Sequence, residues 1–399
     1  METIVQKYGG SSLAEDEQLR AVAERVAQCH RDGNRVVVVV SARGNTTSRL
    51  LSYAGKVNSN PDNRELDMLL ASGEQLSASL LSITLQDMDI RSVALTGPQA
   101  GVLTCDSHLN ARISTVDPRR MNRYLDEGAV VVVAGFQGET PDGDITTLGR
   151  GGSDTTAVAI AAGVKADRCE IYSDVDGVYT ADPRVVPDAV RMNVISLPEM
   201  KTMAHHGAGV LNERAIDYAL EQDVTIHARK AHGDGGETIL SPEGGAGKAR
   251  IVGVAGHDEL LCVKFDESAD ADRLRAELDD YQFFVPEMAE GDSGICMIPR
   301  DQVPDPDGLA GDIRKEFPQG VEVSGSLATV SAVGYEAGKD DSIREAAVAM
   351  LAEKNIEVAD IMVFEHAVTC MVDSKDFAAA TRCFHDGFRI VNKEVADVA

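Results

Sequence analysis

The chain has 399 residues, of which 43% are hydrophobic and only 4% aromatic, with no tryptophan, so we expect two or three domains with aliphatic cores. The formal net charge of −27 at pH 7 disfavours nucleic acid as a partner and means that any anionic ligand needs a local positive site. The sequence has no apolar run of about 20 residues, the length that a membrane span needs. The N-terminus lacks the pattern of a secretory signal, so we expect a cytoplasmic protein.

The first half of the chain predicts alternating strands and helices. Val36–Val40 and Ala129–Ala134 are short runs rich in valine, typical of parallel strands that are covered on both faces. A helix is predicted over Glu17–Cys29, and further strands over Ile171–Tyr172 and Val224–Arg229. This alternation predicts an α/β sandwich with a largely parallel sheet.

The second half follows a different pattern, after a Gly-rich polar segment at 233–247 that we interpret as a linker. Two successive βαββαβ-like units follow, which predict paired ferredoxin-like modules. Their predicted strands are Ile251–Val254, Leu260–Phe265, Gly294–Ile298, Ala328–Gly334, Ile361–Val363 and Val368–Val372, and their predicted helices are Asp270–Leu278, Ser342–Lys354 and Lys375–Phe384.

Two short loops that follow predicted strands combine glycine with hydroxyl or charged residues. In Lys7–Ser12, Gly9 and Gly10 let the backbone approach an anion, and the lysine can neutralise a phosphoryl group. An ordinary structural turn is the alternative. The loop Ser41–Thr47 places hydroxyl groups at the carboxyl end of the valine strand, where open α/β sheets bind ligands. A helix cap at one of its threonines is the alternative.

The segment Thr147–Asp154 is the most specific signal. Arg150 lies among three glycines, and Ser153 and Asp154 open a predicted Ala- and Val-rich helix. A helix N-terminus offers free N–H groups and a positive dipole end, and Arg150 can bind a carboxylate through two parallel hydrogen bonds. Asp154 can orient Lys7 or a metal ion. This pattern predicts an anion-binding site.

An acidic turn follows the strand that ends near Tyr172. Asp174 and Asp176 resemble the start of a calcium loop, but no Glu stands at the twelfth position of such a loop. A nucleotide subsite fits better, with Tyr179 beside the base and Arg184 on a phosphate.

No resident metal site is predicted. The adjacent His205 and His206 point in different directions on a helix and have no ligand partner at helical spacing. The seven cysteines are scattered and include no Cys-x-x-Cys pair, which favours reduced thiols.

Taken together and in this order, these segments closely resemble the aspartate kinase family of the amino-acid kinase superfamily. The matching segments are KYGGSS (7–12), VSARGNTT (40–47), RELDMLLASGE (64–74), AGFQG (134–138), TLGRGGSDTTA (147–157) and DVDGVYTADPR (174–184). The tail resembles, more loosely, the paired ACT regulatory domains of that family. The resemblance implies an amino-acid kinase αβα sandwich at 1–235, a linker at 236–250, and ACT-like modules at 251–327 and 328–399. Such modules commonly join chains into homodimers or higher oligomers.

The activity that the resemblance implies is phosphorylation of the side-chain carboxylate of L-aspartate by ATP, on the route to lysine, threonine and methionine. The implied catalytic residues are Lys7, Arg150 and Asp154. Aspartate would contact Ser41, Thr47, Glu74, Arg150, Gly151, Gly152 and Ser153, and ATP would contact Lys7, Gly9, Gly10, Ser11, Ser173, Asp174, Tyr179 and Arg184, with Mg²⁺ carried on the nucleotide. Glu74 would pair with the amino group of aspartate. Because the acceptor is ionised at neutral pH, no general base is needed.

The chain departs from the family pattern in two places. The family usually has Gly-Ala/Ser-Lys near the end of the kinase domain, but GAGVLNER (207–214) places Gly209 where a phosphate-contacting lysine is expected. Losing one such donor costs roughly 3 kcal/mol in transition-state stabilisation, unless a cation such as Arg214 or Arg229 compensates. The effector segments also differ, with DESAD (266–270), GYEAGKDDS (334–342) and DIMVFEH (360–366) in their places. We therefore expect feedback inhibition by lysine or threonine to be weakened, absent or redirected, and sequence drift with a retained pocket is the alternative.

Two other functions stay open. One is a kinase for another small acid, such as glutamate or an acylated amino acid, although Arg150 with Thr47 and Glu74 favours a small dicarboxylic amino acid. The other is a pseudokinase that binds ligands and regulates a partner, which the glycine at position 209 motivates.

Overall fold

In the computed structural model the chain forms two compact units. The structure describes residues 1–233, 235–242, 251–266, 269–270, 273–274, 278, 294–300, 303 and 305–388. The first unit consists of Met1–Val178, Arg191–Ala204 and Gly209–Ala246, and the second of Tyr179–Val190, His205–Ala208 and Gly247–Ala399. No helix in the described ranges has both the length and the apolar character needed to cross a bilayer.

The elements of residues 1–241 follow in chain order. They are β1 (Thr3–Tyr8), α1 (Asp16–Arg31), β2 (Arg35–Val40), α2 (Thr46–Val57), α3 (Asn63–Asp87), β3 (Ser92–Leu95), β4 (Val102–Thr104), β5 (Ile113–Val116), α4 (Arg119–Asp126), β6 (Val130–Ala134), β7 (Gln137–Glu139), β8 (Ile145–Thr147), α5 (Gly152–Val164), β9 (Arg168–Ser173), β10 (Val194–Ser196), α6 (Leu197–His205), α7 (Glu213–Gln222), β11 (Ile226–Lys230) and β12 (Glu237–Ser241).

The large sheet of the first unit has the strand order β10-β12-β11-β9-β1-β2-β6-β3. Every neighbouring pair is parallel except β11 and β12. Tyr8 and alternate valines of β2 pack in one core with residues of α1 and α3. Successive side chains of a strand point to opposite faces, so Lys7 points to the other face, where it meets α5. Since helices cover both faces, the predicted αβα sandwich with a largely parallel sheet is confirmed.

A smaller sheet lies in the same unit, with the order β5-β4-β7-β8. Its last strand, β8, ends at Thr147 and leads directly into the glycine-rich loop before α5. The small sheet therefore fixes one end of that loop.

The second unit contains one antiparallel sheet with the order β14-β13-β15-β17-β16. Its elements are β13 (Ile251–Phe265), β14 (Gly294–Pro299), α8 (Pro306–Glu316), β15 (Val321–Gly334), α9 (Asp341–Glu353), β16 (Asp360–Phe364), β17 (Ala367–Asp373) and α10 (Phe377–Gly387). One core contains residues of α9 and α10 and another contains residues of α8, and both include side chains of β13 and β15. Two ACT-like modules that share long strands fit this arrangement, but the expected boundary at 327/328 lies inside β15.

Two further sequence-based expectations differ from the structure, and one is not tested by it. The two strands expected at Ile251–Val254 and Leu260–Phe265 are one strand, β13, whose pairing with β15 shifts register around His257 and Leu260. Part of the expected linker is strand β12, because Thr238 and Leu240 are fully buried and pair with β11. The expected helix at Asp270–Leu278 lies largely outside the described residues.

Candidate active site

Lys7 and Asp154 form an ion pair at the centre of the large sheet. Lys7 Nζ lies 2.6 Å from Asp154 Oδ1, and the two side chains are only 11% and 14% exposed. This contact is an ion pair by distance, without hydrogen-bond geometry at Oδ1. Asp154 stands in the first turn of α5, where the helix dipole favours a negative charge. Partial burial strengthens the attraction between the two charges and fixes the position of the lysine ammonium group.

The loop after β1 lies against the loop after β2. A Cβ atom at Gly10 would lie 2.3 Å from the carbonyl oxygen of Ala42, so only glycine allows this approach. The N–H of Gly44 donates to Gly10 O at 2.9 Å, and a Cβ at Gly9 would lie 3.7 Å from Lys7 Nζ. The geometry is that of a structural turn, and anion binding by this turn stays a prediction. Ser11 is exposed in the same turn.

Glu74 is a buried carboxylate beside these loops. Its Oε1 accepts the N–H of Ala42 at 3.0 Å, whereas its Oε2 is buried without a hydrogen-bond partner among the described residues. Glu74 is only 3% exposed, and this burial raises its pKa to about 7. A buried carboxylate oxygen without a protein partner is a typical binding group for a ligand cation.

The threonines of the second loop are not N-caps. Helix α2 begins at Thr46 after the N-cap residue Asn45, whose side chain makes no capping hydrogen bond. Thr46 Oγ1 instead donates to Arg43 O at 2.7 Å. The helix-cap alternative is therefore wrong, and Thr47 and Ser41 lie half-buried at the carboxyl end of β2.

The glycine-rich loop presents Arg150 ahead of α5. Gly149 and Gly151 have φ values of 74° and 67°, a region that favours glycine. A Cβ at Gly151 would also lie 2.2 Å from Asn212 Cγ, so α7 and its cap pack directly on the loop. Arg150 between them is exposed, and Ser153 is buried at the start of α5. Arg150 therefore stands in the loop directly before a helix N-terminus, and binding of an anion there stays a prediction.

The predicted nucleotide residues fall into two groups. Ser173 ends β9, directly beside β1, and the following Asp174 is exposed. Tyr179 and Arg184 instead belong to the second compact unit, where the exposed guanidinium of Arg184 donates to Asp182 Oδ2 at 2.7 Å. We expected both groups in one kinase domain at 1–235, but the two compact units of the structure separate them.

Gly209 leaves open space rather than a positive charge. It is exposed, and a Cβ there would meet no atom within 4 Å. Arg214 Nη1 donates to Leu148 O at 3.1 Å beside the glycine-rich loop. Arg229 is already engaged, since it donates to Glu170 Oε1 at 2.8 Å and lies over the ring of Tyr172.

Sequence reasoning missed two residues of this region. Lys230 ends β11 in register with Ser173 and is exposed, so it adds positive charge at the carboxyl edge of the sheet. Asp67 is fully buried on α3, seven residues before Glu74. That spacing, two helical turns, is the signal that could have placed both acids on one face.

The histidine pair belongs to the second unit. His206 Nδ1 lies 3.0 Å from Ser331 Oγ, and burial holds the pKa of His206 well below its usual range. In the described residues no group of three or more His, Cys, Asp or Glu side chains is placed to bind a metal ion.

Comparison with known proteins gives a consistent result. The model of the amino acid kinase family matches residues 2–229. Aspartokinase of Geobacillus stearothermophilus is 37% identical over 410 residues, covering 99% of each chain, and aspartokinase 2 of Bacillus subtilis is 37% identical over 407 residues, covering 98% of each. The structure of E. coli aspartokinase III with aspartate and ADP has a TM-score of 0.75 at 21% identity, covering 97% of this chain and 99% of that one. This last likeness concerns the fold.

Proposed function

This chain belongs to the amino acid kinase family and, within it, to the aspartokinases, and we propose that it phosphorylates the side-chain carboxylate of L-aspartate with ATP. The product is 4-phospho-L-aspartate. The observation that carries the proposal is the Lys7–Asp154 ion pair, which stands beside the glycine turn after β1 and at the start of the helix that follows Arg150.

On the donor side, Lys7 neutralises charge on the transferring phosphoryl group and Asp154 holds its ammonium group in position. Gly9, Gly10 and Ser11 offer backbone groups to the phosphates. Ser173 and Asp174 at the end of β9 contact the nucleotide, and exposed Lys230 in the neighbouring strand contributes positive charge. Tyr179 and Arg184 stay predicted nucleotide contacts, on the strength of the resemblance.

On the acceptor side, Arg150 binds a carboxylate of aspartate and the free oxygen of Glu74 binds its amino group. Ser41, Thr47 and the start of α5 at Gly151–Ser153 complete the contacts. The attacking carboxylate is already ionised, so these residues contribute by orienting it in line with the phosphorus atom and by offsetting charge.

We also propose that Mg²⁺ enters with the nucleotide. Since the described residues offer no cluster of ligands that could hold a metal ion by themselves, an ion bound chiefly through phosphate oxygens and one carboxylate fits the donor set. Asp174, exposed at the end of β9, is the carboxylate placed for this. The ion would supply further neutralisation of phosphate charge.

Weakened or altered feedback regulation is a separate proposal, supported by the loops of the second unit. Lys339 Nζ lies 2.7 Å from Glu336 Oε1 and 3.0 Å from Glu365 Oε1, and Tyr335 stacks on His366 with ring centroids 5.4 Å apart. These contacts join the two segments in which an effector loop and strand were expected. An amino-acid effector would have to compete with them. Lysine or threonine inhibition as strong as that of Bacillus subtilis aspartokinase 2, measured side by side, would contradict the proposal.

We further propose that the enzyme acts in the cytoplasm as a homodimer or higher oligomer. The support is the C-terminal sheet, in which β16 is an edge strand among the described residues, and edge strands can pair with another chain. Light scattering of the full chain across a concentration series tests this, and a monomer at all concentrations would refute it.

The activity is tested by ADP release with aspartate, glutamate and an acylated amino acid, with hydroxylamine present to trap an acyl phosphate as hydroxamate. We expect aspartate-dependent hydroxamate and the highest kcat/KM for aspartate. Higher kcat/KM for another acid would identify a different kinase, and ATP binding without turnover would favour the pseudokinase. Arg150→Lys keeps the charge but removes the two parallel hydrogen bonds, so it should raise the KM for the preferred acid and leave the KM for ATP near the wild-type value.

A further inference from the structure

A buried carboxylate outside the predicted site joins three segments next to the glycine-rich loop. Asp67 on α3 is 0% exposed. Its Oδ2 lies 2.6 Å from His108 Nδ1, and its Oδ1 accepts the hydroxyl of Thr147 at 2.5 Å. The N–H of Leu109 donates to both oxygens, at 3.1 and 3.2 Å. Both oxygens of Asp67 are thus used, so this carboxylate cannot itself bind a substrate cation in the way that Glu74 can.

The segments that contain the three partners of Asp67 lie next to Gly149. Thr147 ends β8, two residues before Gly149, and Ala111 N donates to Thr147 O at 2.9 Å. A Cβ at Gly149 would lie 3.0 Å from Asn110 Oδ1 and 3.3 Å from Leu109 O. The turn at 108–110 therefore forms the wall against which the loop that carries Arg150 packs.

The turn itself is strained and depends on the carboxylate. Leu109 has a φ of 64°, which costs a residue other than glycine about 1–2 kcal/mol. Such a conformation persists when its surroundings determine it strongly. The surroundings here are the two hydrogen bonds from Leu109 N–H to Asp67.

We propose that Asp67 is a positioning residue for the acceptor side of the site. By fixing the turn at 108–110 and the end of β8, it sets the place of the Gly149–Gly151 loop and so directs Arg150 towards the acceptor carboxylate. This inference rests on the proposed function, since it assumes that Arg150 binds the phosphoryl acceptor. The same helix carries Glu74 two turns later, so α3 couples the positions of both acceptor-binding groups.

The principal test is Asp67→Asn, which keeps the shape but leaves one acceptor oxygen for three donors. We expect kcat/KM for aspartate to fall about 10- to 100-fold, mainly through KM for aspartate, while KM for ATP changes less than about threefold. Asp87→Asn is the matched control, because it removes the same charge from the same helix at an exposed site whose ion-pair partner in the described part of the chain is Arg20. The control should retain both KM values.

Variants of the partners keep the test decisive where Asp67→Asn fails to fold. Thr147→Val and His108→Leu each remove one donor and should raise KM for aspartate, whereas His108→Asn retains a donor near the Nδ1 position and should restore it. Unchanged KM for aspartate in all the donor-removing variants, or a parallel rise in KM for ATP, would overturn the inference.

Failure of the proposed function is recognised separately, in the wild type. If the wild type prefers another acid in the ADP-release panel, the same comparisons are made with that acid. The role of Asp67 is then supported or refuted by the selectivity of the KM change, whichever acid is the substrate.

Discussion

Replacing Glu74 by glutamine should stabilise the protein while impairing acceptor binding. Burial raises the pKa of Glu74 to about 7 from an ordinary value of 4.5, so at pH 8 the folded protein carries a carboxylate that folding has desolvated. The shift of about 2.5 pKa units, at about 1.4 kcal/mol each, corresponds to about 3 kcal/mol. A buried amide group without a partner costs about 1 kcal/mol or more. We therefore expect Glu74→Gln to raise the free energy of unfolding at pH 8 by about 1–2 kcal/mol.

The sign of the pH dependence follows from linkage. Between about pH 4.5 and 7 the folded state holds a proton on Glu74 that the unfolded state has released, so this group's contribution to stability falls as the pH rises through that range. Above pH 7 the penalty is complete, and below pH 4.5 it is absent. The stabilisation by Glu74→Gln should consequently shrink from pH 8 to pH 5, which urea denaturation at the two pH values measures.

The kinetic consequence has the same origin. Binding of the amino group of aspartate requires ionised Glu74, whose ionised fraction falls from about 90% at pH 8 to about 10% at pH 6 for a pKa near 7. We expect kcat/KM for aspartate to fall about tenfold over this range in the wild type. In Glu74→Gln the value should be low and nearly independent of pH.

The control for both measurements is Glu24→Gln, which removes an exposed carboxylate from α1. It should change neither the stability difference between pH 8 and pH 5 nor the kinetic profile. An equal stability change in Glu74→Gln at both pH values would refute the reasoning, because it would show that the buried carboxylate has an ordinary pKa.

Lys7→Met should lower kcat at least about 100-fold. Asp154→Asn should lower kcat less, because the lysine charge remains but loses its fixed position. Single-turnover phosphoryl transfer measures both effects, and a wild-type rate in either variant would contradict the assignment. Gly209→Lys should raise kcat/KM for ATP, since a side chain there meets no atom within 4 Å of its Cβ. The neutral control Gly209→Met should not raise it. If the lysine variant gains nothing, the phosphate-contacting charge is supplied by another residue. Burial lowers the pKa of His206, so the unfolded chain takes up a proton below about pH 6.5 that the folded unit does not. The contribution of His206 to stability should therefore fall as the pH drops from 7 to 5. His206→Asn should remove this contribution, so its stability relative to the wild type should rise over that range in denaturation experiments. A stability difference that does not change with pH would exclude the histidine as the cause.

The parts of the fold that could be predicted are those specified by neighbours in sequence. The consecutive valines of β2 are all buried, and a strand covered on both faces is what such a run predicts. The glycines around Arg150 likewise indicate a loop with positive φ values before a helix. The pairing of Lys7 with Asp154 followed because strand β1 and helix α5 occupy known places in a fold that the motif order already indicated.

The remaining parts depend on contacts between distant residues. Nothing near Asp67 in sequence shows that its partners are His108, Leu109 and Thr147, which lie about 40 and 80 positions away. The sequence predicted two separate strands on either side of His257, but pairing with β15 keeps both in one long strand. Local patterns carry no information about these pairings, so only the folded chain reveals them.

Three acids beside the site, Asp67, Asp154 and Glu74, differ in surroundings, and the surroundings determine what each can do. Both oxygens of Asp67 accept hydrogen bonds from the protein, so this carboxylate holds a turn and a strand end in place. Asp154 has a lysine ammonium at 2.6 Å, so it directs a charge that acts on the phosphoryl group. Glu74 differs from both, because its Oε2 is buried with neither a hydrogen bond nor an ion pair in the described residues, and this burial raises the pKa of Glu74. A substrate ammonium that pairs with this oxygen offsets the cost of its burial on binding, which is why the acceptor should be an amino acid rather than a simple dicarboxylic acid.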